Sequence, residues 1–143
     1  MLLRDVMTPM VECIGPDDSV RSAARKMREL DIGAVPVCDD DHLAGMLTDR
    51  DIAVRCAADG HDPKTCRVRD VMTPDVVYCF DDQPVEEAEQ VMQERQIRRL
   101  VVLDRDKRLA GIISLGDLAV RTRDREHVCA VLHDVSEPAG SRW

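Results

Sequence analysis

Arg4-Asp5-Val6-Met7-Thr8-Pro9 returns unchanged as Arg69-Asp70-Val71-Met72-Thr73-Pro74, 69 − 4 = 65 residues further on. Working outward, the same offset pairs Val20 with Val85, Ala23 with Ala88, Met27 with Met92, Ile32 with Ile97 and Val37 with Val102. One inserted residue near Arg108 then shifts the offset to 66. Leu43-Ala44-Gly45 thus meets Leu109-Ala110-Gly111, and Asp51-Ile52-Ala53-Val54-Arg55 meets Asp117-Leu118-Ala119-Val120-Arg121. Aligned this way, residues 4–55 and 69–121 share 23 identities over 52 pairs. A unit of about fifty residues is small for a core of its own, and a repeated unit closes its apolar face against its copy. The expected fold is therefore α/β (α+β), two copies packed as one module with pseudo-twofold symmetry and two equivalent clefts between them. The boundaries are copy one 1–58, linker 59–68, copy two 69–122 and a tail 123–143.

Each copy reads as β-α-β-β-α. In the first, Val11 to Ile14 is a strand ending in the turn residues Gly15-Pro16-Asp17-Asp18. Ser19 caps a helix whose apolar residues at 20, 23, 24, 27 and 30 form one stripe, and Gly33 ends it. Ala34–Cys38 and Leu43–Leu47 make an antiparallel hairpin around a polar turn, and a further helix runs from Thr48 to about Ala58. The second copy repeats the order: strand 76–80, helix 84–96 with Pro84 in its first turn, strands 99–103 and 109–114, helix 115–121. The tail has one further helical stretch, 126–134, followed by a frayed end from Ser136.

Composition narrows the function. Hydrophobic residues make up 44% and charged residues 34%, ordinary values for a globular chain. Aromatics are only 2%, namely Tyr78, Phe80 and Trp143, so base stacking on aromatic platforms is disfavoured. A net charge of −8 argues against sequence-independent binding to nucleic acid or anionic membrane. No apolar run approaches a membrane span, and Arg4 and Asp5 interrupt any signal-peptide core, so a cytoplasmic protein is expected. The six cysteines at 13, 38, 56, 66, 79 and 129 contain no Cys-x-x-Cys and lie mostly in apolar runs. Reduced, buried thiols are expected in preference to a disulfide or metal framework.

The candidate chemistry lies at a strand-to-helix junction that occurs twice. Gly45-Met46-Leu47-Thr48-Asp49-Arg50-Asp51 and Gly111-Ile112-Ile113-Ser114-Leu115-Gly116-Asp117 share a glycine, two apolar residues, a hydroxyl residue and an aspartate three positions later. A hydroxyl beside unpaired backbone N–H groups suits a phosphate, and an aspartate one turn on can accept both hydroxyls of a ribose. A helix cap with no ligand explains one such junction equally well, and a duplication copies its caps. The functional reading gains from nearby positive charge: Arg50 in the first junction, and Arg98-Arg99 ahead of the strand leading to the second.

The repeated Arg-Asp-Val-Met-Thr-Pro leader, Ile32-Gly33-Ala34-Val35-Pro36-Val37, Ile97-Arg98-Arg99-Leu100-Val101-Val102 and the two glycine-to-aspartate junctions together resemble a tandem pair of CBS domains, a Bateman module. The resemblance covers roughly residues 3 to 122. It implies adenosine-containing ligands, AMP, ADP or ATP and in some members S-adenosylmethionine or NAD, bound in the two clefts. By matching positions, Ser114 would meet phosphate and Asp117 ribose, with Arg98 and Arg99 near phosphate. Ile32, Gly33 and Ala34 of the other copy, with Val20 and Ile112, would enclose the adenine. The second cleft would use Thr48, Arg50 and Asp51 with Met46, Val85, Ile97 and Arg98. Gly116 replaces a small hydroxyl residue common at that position, which removes one phosphate contact. The resemblance also implies a homodimer of modules packed through helices, and an effector protein outside this chain.

Three other readings stand beside this one. Catalysis is not expected, since His42, His61, His127 and His133 fall in turns, the linker or the tail, away from both junctions. Metal or redox sensing would draw on Cys129 and His133, four apart on one helix face, with His127 close by, or on Cys56, His61 and Cys66 around the linker. No four-ligand signature is present, so no metal and no required cofactor are expected. A ligand-free interaction dimer is the third reading.

Overall fold

In the computed structural model, which describes residues 1–9, 12–121 and 125–136, the chain begins with α1 (Leu3–Val6) and β1 (Thr8–Pro9). Then follow α2 (Val20–Leu30), β2 (Ala34–Asp39), β3 (His42–Thr48) and α3 (Asp49–Asp51), which runs on as a π-helix, Ile52–Ala57. The second half holds α4 (Val68–Val71), β4 (Tyr78–Phe80), α5 (Val85–Arg95), β5 (Arg99–Leu103), β6 (Leu109–Ser114), α6 (Leu115–Arg121) and α7 (Arg125–Val135). These elements fall into two units. One is the continuous segment Glu12–Val76; the other joins Met1–Val11 to Val77–Trp143.

In the continuous unit, Ser19 caps α2 by accepting a hydrogen bond from the Ser22 N–H at 3.1 Å. The helical spacing then sends Val20, Ala23 and Met27 to one face. They pack there with Val35 and Val37 of β2, Leu47 of β3, Cys56, and Val68 and Val71 of α4. β2 and β3 pair antiparallel from Ala34↔Thr48 to Asp39↔His42, with an irregularity between Val37 and Cys38. Single bridges flank the hairpin: Ile14 pairs parallel with Val37, and Met46 pairs antiparallel with Thr73.

The other unit elaborates the same plan into a four-stranded mixed sheet, ordered β1-β6-β5-β4. β4 runs parallel to β5 and the remaining pairs are antiparallel. Leu3 and Val6 of α1, Val85, Ala88 and Met92 of α5, Leu100, Val102, Ile113 and Leu118 form its core, closed by Val131 and Val135 of α7.

In both units the leader that completes the body comes, in sequence, from the other copy. α1 and β1 pack on the body of copy two, and α4 with Thr73 packs on the body of copy one. Two repeated residues receive each leader. A Cβ added to Gly111 would lie 2.5 Å from the Thr8 carbonyl oxygen, and one added to Gly45 would lie 2.6 Å from that of Thr73. Only glycine admits so close a backbone. Arg121 Nη1 donates to the Val6 and Met7 carbonyls at 3.0 and 2.7 Å, and Arg55 Nη1 to those of Val71 and Met72 at 3.2 Å each. These carbonyls end the leader helices and have no partner within them.

The mixed α and β class is as expected, and the hairpins and β5, β6 and α6 lie where the patterns place them. Several local expectations are corrected. Both leaders open with a helical turn that the patterns do not signal, because four residues carry no periodicity. The strand expected at 11–14 is reduced to the Ile14 bridge, with Val11 outside the described residues. α2 is ended by Asp31, which adopts the left-handed conformation (φ 53°), and not by Gly33. Pro84 is the extended cap of α5 and not a residue of its first turn. The helix expected from Thr48 becomes one α turn and a π-helix. In the tail a helix is present as α7; of the stretch from Ser136 expected to fray, all beyond Ser136 lies outside the described residues.

Candidate functional site

Each junction is built from a strand end, a helix start and the residue preceding the hairpin's first strand. In the second copy, the Leu115 N–H donates to the Arg98 carbonyl at 3.1 Å, which fixes how α6 leaves β6. The Ser114 N–H then donates to Asp117 Oδ2 at 2.9 Å, the Ser114 hydroxyl to the same oxygen at 3.1 Å, and the Asp117 N–H to Ser114 Oγ at 3.1 Å. Thr8 of the leader adds a fourth bond, its hydroxyl donating to Asp117 Oδ1 at 3.1 Å. Asp117 is half-buried, and Arg99 sits opposite Ser114 in the β5–β6 register. The exposed Arg98 guanidinium donates to the Ser136 hydroxyl at 3.4 Å.

The first copy repeats this with tighter burial. The Asp49 N–H donates to the Gly33 carbonyl at 2.9 Å, the Thr48 N–H to Asp51 Oδ2 at 3.0 Å, and the Asp51 N–H to Thr48 Oγ1 at 3.0 Å. This reciprocal capping box satisfies two helix-start donors at once. Thr48 is 4% exposed and Asp51 9%. The Asp51 carboxylate is therefore buried, whereas that of Asp117 is half-buried. The side chain of Arg50 is exposed, and among the described residues neither the Arg50 nor the Arg99 guanidinium has a hydrogen-bond or ion-pair partner.

Of the residues singled out from the sequence, one unit gathers Arg98, Arg99, Ile112, Ser114 and Asp117, and the other gathers Ile32, Gly33, Ala34, Met46, Thr48, Arg50 and Asp51. Val20, Val85 and Ile97 belong to the two apolar cores. Thr8, Arg55 and Arg121 were not singled out, although their identity in both copies was the available signal. What hid them is that each acts on the body or leader of the other copy.

All six cysteines are free thiols. Cys13 adjoins Cys38, and Cys56 adjoins Cys66. Burial, then the adjacent Cys13, pushes the Cys38 thiol up to about 12, and burial also raises Cys66 and Cys79. Thiols shifted this way are poor nucleophiles and poor metal ligands. Among the described residues, no three His, Cys, Asp or Glu side chains group as a metal site. No described helix is long and apolar enough to cross a membrane.

Against known proteins, the CBS domain family matches residues 3–57 and again 68–122. The CBS domain-containing protein YhcV of Bacillus subtilis is 40% identical over 134 residues, covering 94% of each chain. Hypoxic response protein 1 of Mycobacterium tuberculosis is 42% identical over 117 residues, 81% of each. A crystal structure of Hypoxic Response Protein I with two coordinated zinc ions superposes with a TM-score of 0.76 at 40% identity, covering 85% of this chain and 99% of that one. With the family matched twice over most of its length, and relatives of the same extent, the chain belongs to the CBS-domain family as a tandem pair.

Proposed function

We propose that this regulatory CBS pair is a non-catalytic sensor that takes an adenosine-containing ligand at its Ser114–Asp117 and Thr48–Asp51 junctions. AMP, ADP and ATP are the leading candidates, with S-adenosylmethionine and NAD as the wider class. The observation that carries the proposal is the carboxylate locked in place beside a hydroxyl at both junctions. An acceptor already held in one rotamer loses little entropy on taking up ribose hydroxyls. Arg98, Arg99 and Arg50 supply positive charge for phosphate in a chain of net charge −8. Stand-alone CBS proteins are typically regulatory, and no nucleophile and base converge at either junction among the described residues.

The readout runs through a second copy and an effector protein. Val54 and Val120, at the same position in each copy, are 50% and 83% exposed, and an isologous homodimer would cover such residues. Six free thiols suit a reducing compartment, hence the cytoplasm. Calorimetry with AMP, ADP, ATP, NADH and S-adenosylmethionine tests the proposal on the wild type, Asp117→Ala and Asp51→Ala. Loss of a charge-assisted acceptor should weaken binding roughly tenfold or more at its own junction. Unchanged affinity in both variants overturns the ribose assignment. The zinc of the hypoxic response protein favours a second reading, a metal-bound protein. Elemental analysis after mild purification decides it: a stoichiometric metal would displace the nucleotide reading.

A further inference from the structure

We infer that a ribose bound at Asp117 displaces the Thr8 hydroxyl and so loosens the N-terminal leader, making the leader the part of this unit that reports occupancy. This rests on the adenosyl reading above. A carboxylate offers about four acceptor positions. At Asp117, Oδ2 already takes the Ser114 N–H and hydroxyl, and Oδ1 takes the Thr8 hydroxyl, leaving one position. A ribose that presents both its 2′- and 3′-hydroxyls needs two. One existing donor must leave.

Thr8 is the donor that leaves at least cost. The Ser114 N–H is fixed by the strand-to-helix turn, and the Ser114 hydroxyl is held from both sides because it also accepts from the Asp117 N–H. Thr8 is exposed, so water replaces its acceptor once it turns away. Its strand is two residues long, pairing Thr8↔Ile112 and Pro9↔Gly111, and proline has no N–H to contribute. With the side chain released, the leader retains this short pairing, the grip of Arg121 on the Val6 and Met7 carbonyls and the buried side chains of α1.

The other copy lacks the device. Asp51 accepts from the Thr48 N–H, and among the described residues no leader hydroxyl reaches it; Thr73 is tied to Met46 by backbone bonds alone. Two junctions that share their capping geometry thus differ in whether occupancy is transmitted to a leader.

Thr8→Val removes the hydroxyl and keeps the shape. Calorimetry with AMP should show the variant binding two- to tenfold more tightly than the wild type, the span expected when one competing hydrogen bond is removed. With 2′-deoxy-AMP, whose single hydroxyl fits the free position, the two proteins should bind alike. Hydrogen exchange in residues 1–9 should rise when AMP, but not 2′-deoxy-AMP, is added to the wild type. Weaker AMP binding by Thr8→Val would make Thr8 a ligand contact and overturn the inference, as would equal binding or unaltered exchange. If AMP binds and Asp117→Ala abolishes that binding while Thr8→Val changes nothing, only the leader device falls. If the wild type binds no AMP, device and ligand reading fall together.

Discussion

Gly111 and Gly45 show how a single residue decides the packing of a leader. A methyl group at either would press on a leader carbonyl that backbone pairing holds in place, so the neighbour cannot step aside as a flexible side chain would. Replacing a strand glycine by alanine ordinarily stabilises by about 0.5–1 kcal/mol. Here overpacking outweighs that gain, and Gly111→Ala or Gly45→Ala should each cost about 1–3 kcal/mol, read as a lower urea midpoint. Cys38 provides a second case. Its folded thiol, raised to about 12, keeps its proton after the unfolded chain, near 9.0, has lost its own. Stability from this group is therefore intact below pH 9 and drains as pH rises toward 12. Cys38→Ala should flatten the fall in urea midpoint across that window, whatever its effect at neutral pH. The exposed Cys129 should react with iodoacetamide in the native protein, while the buried Cys38, Cys56 and Cys79 wait for unfolding.

At the scale of elements, the leaders depend on arginines that lie outside them, Arg121 being 115 residues from Val6 and Arg55 16 residues from Val71. A four-residue helix is far below the length that sustains itself in water, so α1 and α4 persist because Leu3, Val6, Val68 and Val71 are buried and their last carbonyls are capped from outside. Arg121→Met, which keeps the stem but loses both bonds to Val6 and Met7, should increase hydrogen exchange in residues 1–9. It should destabilise the protein by about 1.5–3 kcal/mol. Arg55→Met should do the same to residues 68–74. Elements of this kind are not legible from pattern, whereas α2, α5 and both hairpins are, since their own caps and periodicity specify them. The register of Thr48 and Asp51, three apart, was legible as a capping box; that Thr8 would join the matching box at Asp117 was not.

At the scale of the whole molecule, the continuous segment 12–76 contains a copy-one body together with the leader that completes it. A fragment of residues 12–76 should therefore melt cooperatively by circular dichroism, while a fragment of residues 1–58, cut at the repeat boundary, should not. The shorter piece lacks Val68 and Val71 and leaves Gly45 and Arg55 without the backbone they receive. A cooperative melt for 1–58 alone would show that each copy closes on its own leader. The duplication, the element order and the hydroxyl–aspartate pairs were all determined by the residues alone, because local periodicity and identity between copies are carried in the chain itself. Which leader completes which body was decided only in three dimensions. Two identical hexapeptides present the same valines, carbonyls and threonine to either body, so nothing local distinguishes the pairings, and the choice falls to the contacts that the folded chain brings together.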